Sequence, residues 1–321
     1  MTRIALPEVD RAQVTILVDN YTDLLLTDTE QVKRMRVLPP NAPMAEHGLA
    51  YLVTVQAGDA RHTILIDAGI SGQCLSHNAA LMPISLAVQF GVVKHAIADV
   101  ESVVLSHGHF DHFSGLPHFL KQLGQQMPLV VHPGAFVERR IKLGPEFYVD
   151  MPLLREEDLA AAGAVVDKRA APSAVAGGFI AVAGTVERTT AFETGSPGLE
   201  AKRNGQWAAD SFEDDQAIAF RVKDQGLVVL GACSHAGIVN TVRHLAKVTG
   251  TEQIHAVLGG FHLSGASEGL IEPTVRAMQE IHPTLIVPTH CTGWKAINRF
   301  EQAMPEQFVL NTVGTTYLFG K

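Results

Sequence analysis

Within SHGHFDHFSGL (residues 106–116), His107, His109, Asp111 and His112 fall inside one short stretch. In extended chain, His107 and His109 are two apart and project to the same side. Gly108 between them permits a tight bend. Asp111 and His112 follow where the chain turns toward a helix starting near Ser114. His107 and His109 can therefore hold one cation, and Asp111 and His112 a second. Imidazole with carboxylate suits zinc best, with iron or manganese as the other candidates. A plain histidine-rich surface loop is the competing account. It is the weaker one, because further ligand types stand at other strand ends. These are Cys233 and His235 in GACSHAG, His262 in GGFHLSG and His290 in PTHCTG.

The elements that must carry these residues are short apolar runs. SVVLS (102–106) leads straight into the histidine cluster. Other expected strands are VTILVD (14–19), LAYLVTV (49–55), TILID (63–67), PLVVH (128–132), QAIAFRV (216–222), LVVLGAC (227–233), IHAVLGG (254–260) and TLIVPT (284–289), with a final pair near 307–319. Several are apolar throughout, as strands covered on both faces should be. Helical patterns lie at 84–97, 114–124, 155–162, 237–249, 268–281 and 294–303. KDQG between QAIAFRV and LVVLGAC is a hairpin signal. Hairpins mixed with strand–helix units predict packed α/β layers. Each distant ligand type ends an apolar run at a small-residue turn, which places all of them on one rim. The whole chain, 1–321, reads as a single domain, with 134–214 an irregular insertion or cover.

Composition sets the outer limits. The chain has 321 residues, 46% of them apolar and 18% charged, which excludes disorder. Lys and Arg number 25 against 33 Asp and Glu, a net charge of −8. That is the wrong sign for a general nucleic-acid binder. No apolar run reaches the ~18 residues of a membrane helix. The charged N-terminus lacks a signal-peptide pattern. A cytoplasmic protein acting on a small anionic molecule is expected, with its oligomeric state open. Three cysteines form no disulfide framework. Fifteen His against 2 Trp and 4 Tyr fit a metal protein.

The HxHxDH cluster after a strand, with ILIDAG before it and later strand-end ligands, resembles the metallo-β-lactamase fold. VDN (18–20), AEHGLAYLV (45–53), GACSHAGIVNT (231–241), GGFHL (259–263) and PTHCTGWKA (288–296) are similar to one branch of it. That branch is the 7,8-dihydropterin-6-yl-methyl-4-(β-D-ribofuranosyl)aminobenzene 5′-phosphate synthase-like metallo-hydrolases. The resemblance implies a four-layer αββα sandwich and a dinuclear metal centre at its edge. It implies His107, His109, Asp111, His112 and His290 as ligands. The usual GHxxG ligand is missing, and Glu213-Asp214-Asp215 stands near its place; the usual later bridging Asp is missing too. His235 is the preferred additional ligand, with Cys233 and Asp215 as alternates. The implied activity is metal-dependent hydrolysis of a small anion such as a phosphate ester. A pterin-precursor condensing synthase and a non-catalytic metal-dependent metabolite binder are the alternatives. Asp111 and His262 are the expected catalytic groups. Asp67, Asn20, Glu46, His47 and Lys295 are candidates for supporting the ligands or meeting substrate.

Overall fold

The computed structural model describes residues 3–85, 96–196 and 198–320. Two large sheets lie face to face. The first has the order Ala164–Lys168, Met127–Val131, Ser102–Leu105, Ala60–Ile66, Ala50–Ala57, Arg11–Val18, Thr316–Gly320 and Val32–Lys33. The second runs Ser173–Val175, Ile180–Val182, Ile218–Val222, Gly226–Leu230, Ile254–Gly260 and Leu285–Thr289, with Glu8–Val9 alongside Ile218–Val222.

Side-chain alternation explains the unbroken apolar runs. Ile16, Val53, Ile64 and Val104 point between the sheets, where they meet Phe220, Val228, Leu230 and Leu258. Leu17, Leu52, Leu65 and Val103 point the other way, onto the helices Gly72–Leu81 and Leu116–Leu123. Leu227, Val229 and Val257 of the second sheet face Ile238–Thr249, Glu268–Ile281 and Trp294–Ala303. Both faces of both sheets are therefore buried, and the architecture is the αββα sandwich. Each fully buried Leu or Ile contributes about 1.5–3 kcal/mol. Tyr51 ties the two sheets together by donating its hydroxyl to the Gly231 carbonyl at 2.9 Å.

The KDQG hairpin forms, with Ile218–Val222 antiparallel to Gly226–Leu230 and Asp224 at φ 60°. The expected helix at 84–97 lies mostly outside the described residues. The helix Gly72–Leu81 has no counterpart in the sequence reading; its N-cap is Ser71, whose side chain accepts the Cys74 N–H. Near 307–319 there is one strand, Thr316–Gly320; Phe308 makes only an isolated bridge to Ile286.

The segment 134–214 carries more regular structure than an irregular cover. Ala164–Lys168 and Ile180–Val182 extend the two main sheets. Gln206–Ala209, Leu199–Arg203, Arg139–Lys142 and Tyr148–Asp150 form a third, four-stranded sheet. Among the described residues no helix is long and apolar enough to cross a membrane.

Candidate metal centre

Four strand ends deliver the site. Ser102–Leu105 leads into His107 and His109, and then a short helix, Phe110–Phe113, carries Asp111 and His112. Gly226–Leu230 leads into Cys233 and His235, Ile254–Gly260 into His262, and Leu285–Thr289 into His290. The backbone is forced at several of these ends. Asp67, Ser234, His262 and His290 have φ of 59°, 57°, 47° and 49°. A residue with a side chain in that region costs about 1–3 kcal/mol, and such strain persists only where the surroundings impose it.

Three groups of ligand atoms meet at Cys233. One comprises His107, Cys233 and His235, the second Asp111, His112, Cys233 and His290, and the third Cys233, His262 and Cys291. His109 joins the first through Nδ1, 3.1 Å from His235 Nε2. In the second, Asp111 Oδ2 is 3.3 Å from His290 Nε2 and 3.6 Å from His112 Nε2. Cys233 Sγ lies 3.2 Å from His112 Nε2. Bonds of ~2.0–2.3 Å to a tetrahedral cation give ligand–ligand edges of roughly 3.3–3.8 Å. The observed spacings sit near that range. His107 Nε2 and His290 Nε2 are buried without a hydrogen-bond partner. Such orphaned nitrogens are costly unless a cation takes the lone pair. The residues fit divalent metal.

Hydrogen bonds fix which nitrogen faces the cavity. Asp67 accepts from His112 Nδ1 at 2.7 Å and from the Ser106 hydroxyl at 2.7 Å. Since that hydroxyl gives its hydrogen to Asp67, it accepts from His107 Nδ1 at 2.9 Å. One carboxylate thus turns the Nε2 lone pairs of two imidazoles inward. Asp19 performs a similar service behind His290. It accepts from the His290 backbone N–H at 3.1 Å, from Asn311 Nδ2 at 2.6 Å and from the Thr289 hydroxyl. Asn20 Nδ2 donates to the His290 carbonyl at 3.0 Å.

The first two groups differ electrically. Burial lowers the pKa of His107, His109 and His235, so these imidazoles stay neutral. Burial works against the charged form of Asp111 as well, but His112 and His290 hold its carboxyl well below the usual range. His112 overcomes burial and is raised to about 9 by Asp111 and Asp67. The proton that His112 retains marks a place where positive charge is favoured. Burial pushes the Cys233 thiol up, so a thiolate there requires a neighbouring cation.

The remaining expected residues are placed unequally. Asp215 is buried and accepts the Ala236 N–H at 2.9 Å, behind the ligand rim; burial raises its pKa to about 7. It belongs to none of the three ligand groups. His262 lies tilted against His235 with ring centroids 4.0 Å apart, and its Nδ1 has no partner. Burial lowers its pKa, but Cys291 outweighs this and leaves it raised. His47 is half exposed at the mouth, 3.4 Å from Asp111. Glu46 and Lys295 do not join them. Glu46 spends its carboxylate on the Ile70 and Ser71 N–H groups and the Ser71 hydroxyl, at the start of the helix Gly72–Leu81. Lys295 lies exposed and paired with Glu268 at 3.2 Å.

Several supports are invisible in the sequence. Arg139, from the third sheet, is buried and donates to Asp210 at 2.7 Å and to Asp214 at 2.6 Å. It also reaches the Gly108 carbonyl at 3.3 Å, while Asp214 accepts the Gly108 N–H at 2.9 Å. A Cβ on Gly108 would lie 2.1 Å from the Ala135 carbonyl oxygen, so only glycine fits. Phe212 stacks flat on His235 at 4.2 Å and meets His109 edge-on. The cue for Arg139 was weak, because its partners are 71 and 75 residues away.

Comparison with known proteins is consistent with this layout. The description "Beta-lactamase superfamily domain" matches residues 62–220. A curated relative from Methanocaldococcus jannaschii is 30% identical over 84% of this chain and 88% of its own length. It is named 7,8-dihydropterin-6-methyl-4-(beta-D-ribofuranosyl)-aminobenzene-5'-phosphate synthase. Among solved structures, Tm1679, described as a metal-dependent hydrolase of the beta-lactamase superfamily, superposes with TM-score 0.69 at 23% identity. That match covers 95% of this chain and 98% of the other. YhfI from Bacillus subtilis, a metallo-beta-lactamase fold protein, gives 0.51 at 14% identity, covering 96% and 100%.

Proposed function

Because this chain belongs to the metallo-β-lactamase superfamily, in the family of the dihydropterin phosphate synthase, we propose that it is a metal-dependent, hydrolase-type enzyme with a dinuclear centre. Its substrate is a small phosphorylated anion. The observation that carries this reading is the pair of ligand groups meeting at Cys233. His107, His109 and His235 would hold one ion and Asp111, His112 and His290 the other, with Cys233 within reach of both sets. Zinc suits this donor set best, since a thiolate favours it over iron or manganese. Bound there, divalent ions lower the pKa of a water and polarise a phosphoryl oxygen.

The chain's own groups supply the rest. Asp111 accepts a hydrogen from the attacking water and sets its direction. Asp67 keeps His112 and His107 in the tautomer that presents Nε2. His262 Nδ1, buried and unpartnered, gives its proton to the oxygen that leaves phosphorus. Phe212 and the buried rim exclude bulk water from one side.

Elemental analysis of purified protein is expected to give two zinc ions per chain. Chelation should abolish turnover of phosphate esters, and divalent metal should restore it. Full activity in verified metal-free protein would overturn the reading. A condensing synthase is the second reading, favoured by the name of the 30%-identical relative. There the same cations would grip a diphosphate carried on the dihydropterin methyl carbon, which leaves as the arylamine nitrogen forms the new carbon–nitrogen bond. Condensation of an aminobenzene ribofuranosyl phosphate with a dihydropterin methyl diphosphate, with one pyrophosphate released per product and the ribosyl phosphate retained, would select it.

A further inference from the structure

Of the three free cysteines, two meet and one stands apart. Cys74 lies on the helix Gly72–Leu81, outside the first sheet, with its sulfur 3.4 Å from the Met44 carbonyl. Cys233 and Cys291 follow the ends of Gly226–Leu230 and Leu285–Thr289, the two strands that flank Ile254–Gly260. Their sulfurs and a ring nitrogen of His262 all lie within 4.8 Å of one another. We propose that Cys233 and Cys291 form an oxidative modification site, a dithiol that peroxide closes to a disulfide, and that closure takes Cys233 away from the metal-binding pockets. The link itself is independent of the metal-dependent reading; only its effect on metal rests on that reading.

Gly260 makes the approach possible. Its N–H donates to the Ala232 carbonyl at 2.9 Å, and on its other side it pairs with Thr289. A Cβ there would sit 2.3 Å from the Ala232 oxygen and 2.6 Å from Cys291 Sγ. With glycine, the flanking chains close over the end of the central strand, and the Cys291 thiol reaches the Cys233 carbonyl at 3.5 Å. A disulfide needs its sulfurs ~2.05 Å apart. Turning one cysteine to a neighbouring staggered rotamer moves its sulfur by roughly 3 Å, which covers the gap from 4.8 Å. The proposed hydrolysis makes no use of Cys291, so this buried thiol is left with no other task. In the oxidation, one thiol attacks a peroxide oxygen, breaking the O–O bond and giving a sulfenic acid and one water. The second sulfur displaces that hydroxyl, which leaves with the remaining thiol proton as a second water. The thiolate is the metal-binding form of cysteine, and a sulfur tied in a disulfide has no negative charge to offer a cation. A dithiol reductant reverses the bond by exchange.

The test treats metal-free protein with stoichiometric hydrogen peroxide and follows it by intact mass, thiol titration in denaturant and tryptic mapping. The expected product is lighter by two hydrogens, keeps one thiol of three, and joins the peptide 224–243 to the peptide 277–295. Dithiothreitol should restore all three thiols. Cys74→Ser should form the same link, and Cys291→Ser should not. Zinc titration should show the oxidised protein binding at least about tenfold more weakly than the reduced protein, the low end of what disturbing a ligand costs. Oxygen added to Cys233 or Cys291 without joined peptides, or a link through Cys74, overturns the site. Unchanged zinc affinity in the linked protein overturns its effect on metal. A link formed in a protein whose reduced form holds no zinc leaves the modification site standing and removes the metal reading.

Discussion

The imidazole pocket of His107, His109 and His235 and the mixed pocket of Asp111, His112 and His290 share Cys233 but are built on different principles. The first contains only neutral donors, made so by burial, and it is braced from outside by Arg139 and Asp214 of the cover region. The second contains a carboxylate and has another, Asp67, directly behind His112. It is braced from within the sandwich, by Asp67 and Asp19. Charge and scaffolding are divided between the pockets. The mixed pocket carries the carboxylate charge, whereas the imidazole pocket depends on a distant segment for its shape.

The largest expected effect tests the mixed pocket. Asp111→Asn should lower kcat by about 10²–10⁴-fold, the range for losing a positioned proton acceptor. Elemental analysis should show one of two ions lost and the imidazole pocket still filled. Loss of both ions would mean that the pockets are not separable.

Arg139→Met tests the imidazole pocket's outside brace. Removing one partner of a buried ion pair costs about 3–5 kcal/mol. Denaturant unfolding should show that loss, and the metal bound by His107 and His109 should weaken before the other. A smaller change is expected from Asp67→Asn, about 10–100-fold in metal affinity, because the ligands remain and only their orientation loosens. Its signature is that the mixed pocket suffers more, since His112 contacts Asp67 directly and His107 only through Ser106.

The last prediction concerns pH. Asp215, under His235, has a folded pKa raised from 3.8 to about 7. The folded chain therefore holds a proton that the unfolded chain releases between about pH 4 and 7. The stabilisation is fully present below the unfolded value and is lost as pH rises through the folded one. In chelator-treated protein, stability should fall over that window by up to roughly 4 kcal/mol. Asp215→Asn should flatten the slope, measured by thermal unfolding across pH.

How much of this was written in the sequence differs between the same two pockets. The fold was legible because alternating burial on both faces leaves continuous apolar runs such as Ser102–Leu105 and Gly226–Leu230. The cluster at 107–112 was legible because its donors are adjacent in the chain. His235, Cys233 and His290 could be collected by their common position after a strand. Arg139 and Phe212 could not, since nothing local distinguishes an arginine that will be buried by carboxylates 71 and 75 residues away. Lys295, whose place after His290 suggests an anion site or an ordinary solvated lysine, lies exposed beside Glu268 on the neighbouring helix. The helix Gly72–Leu81 was hidden because Gly, Ser, His and Asn are weak helix formers and only the Ser71 cap announces it.

The left-handed backbone at Asp67, Ser234, His262 and His290 has an evolutionary consequence. Glycine at His262 or His290 would relieve the torsion, whereas at Asp67 it would leave the Ser106 and His112 donors buried without their acceptor. Laboratory selection for heat tolerance alone should therefore drift toward glycine at the two histidines and keep the carboxylate. Selection that also demands turnover should keep the imidazoles as well. The sites where those two regimes diverge would map the chemistry of this rim without any substrate being known in advance.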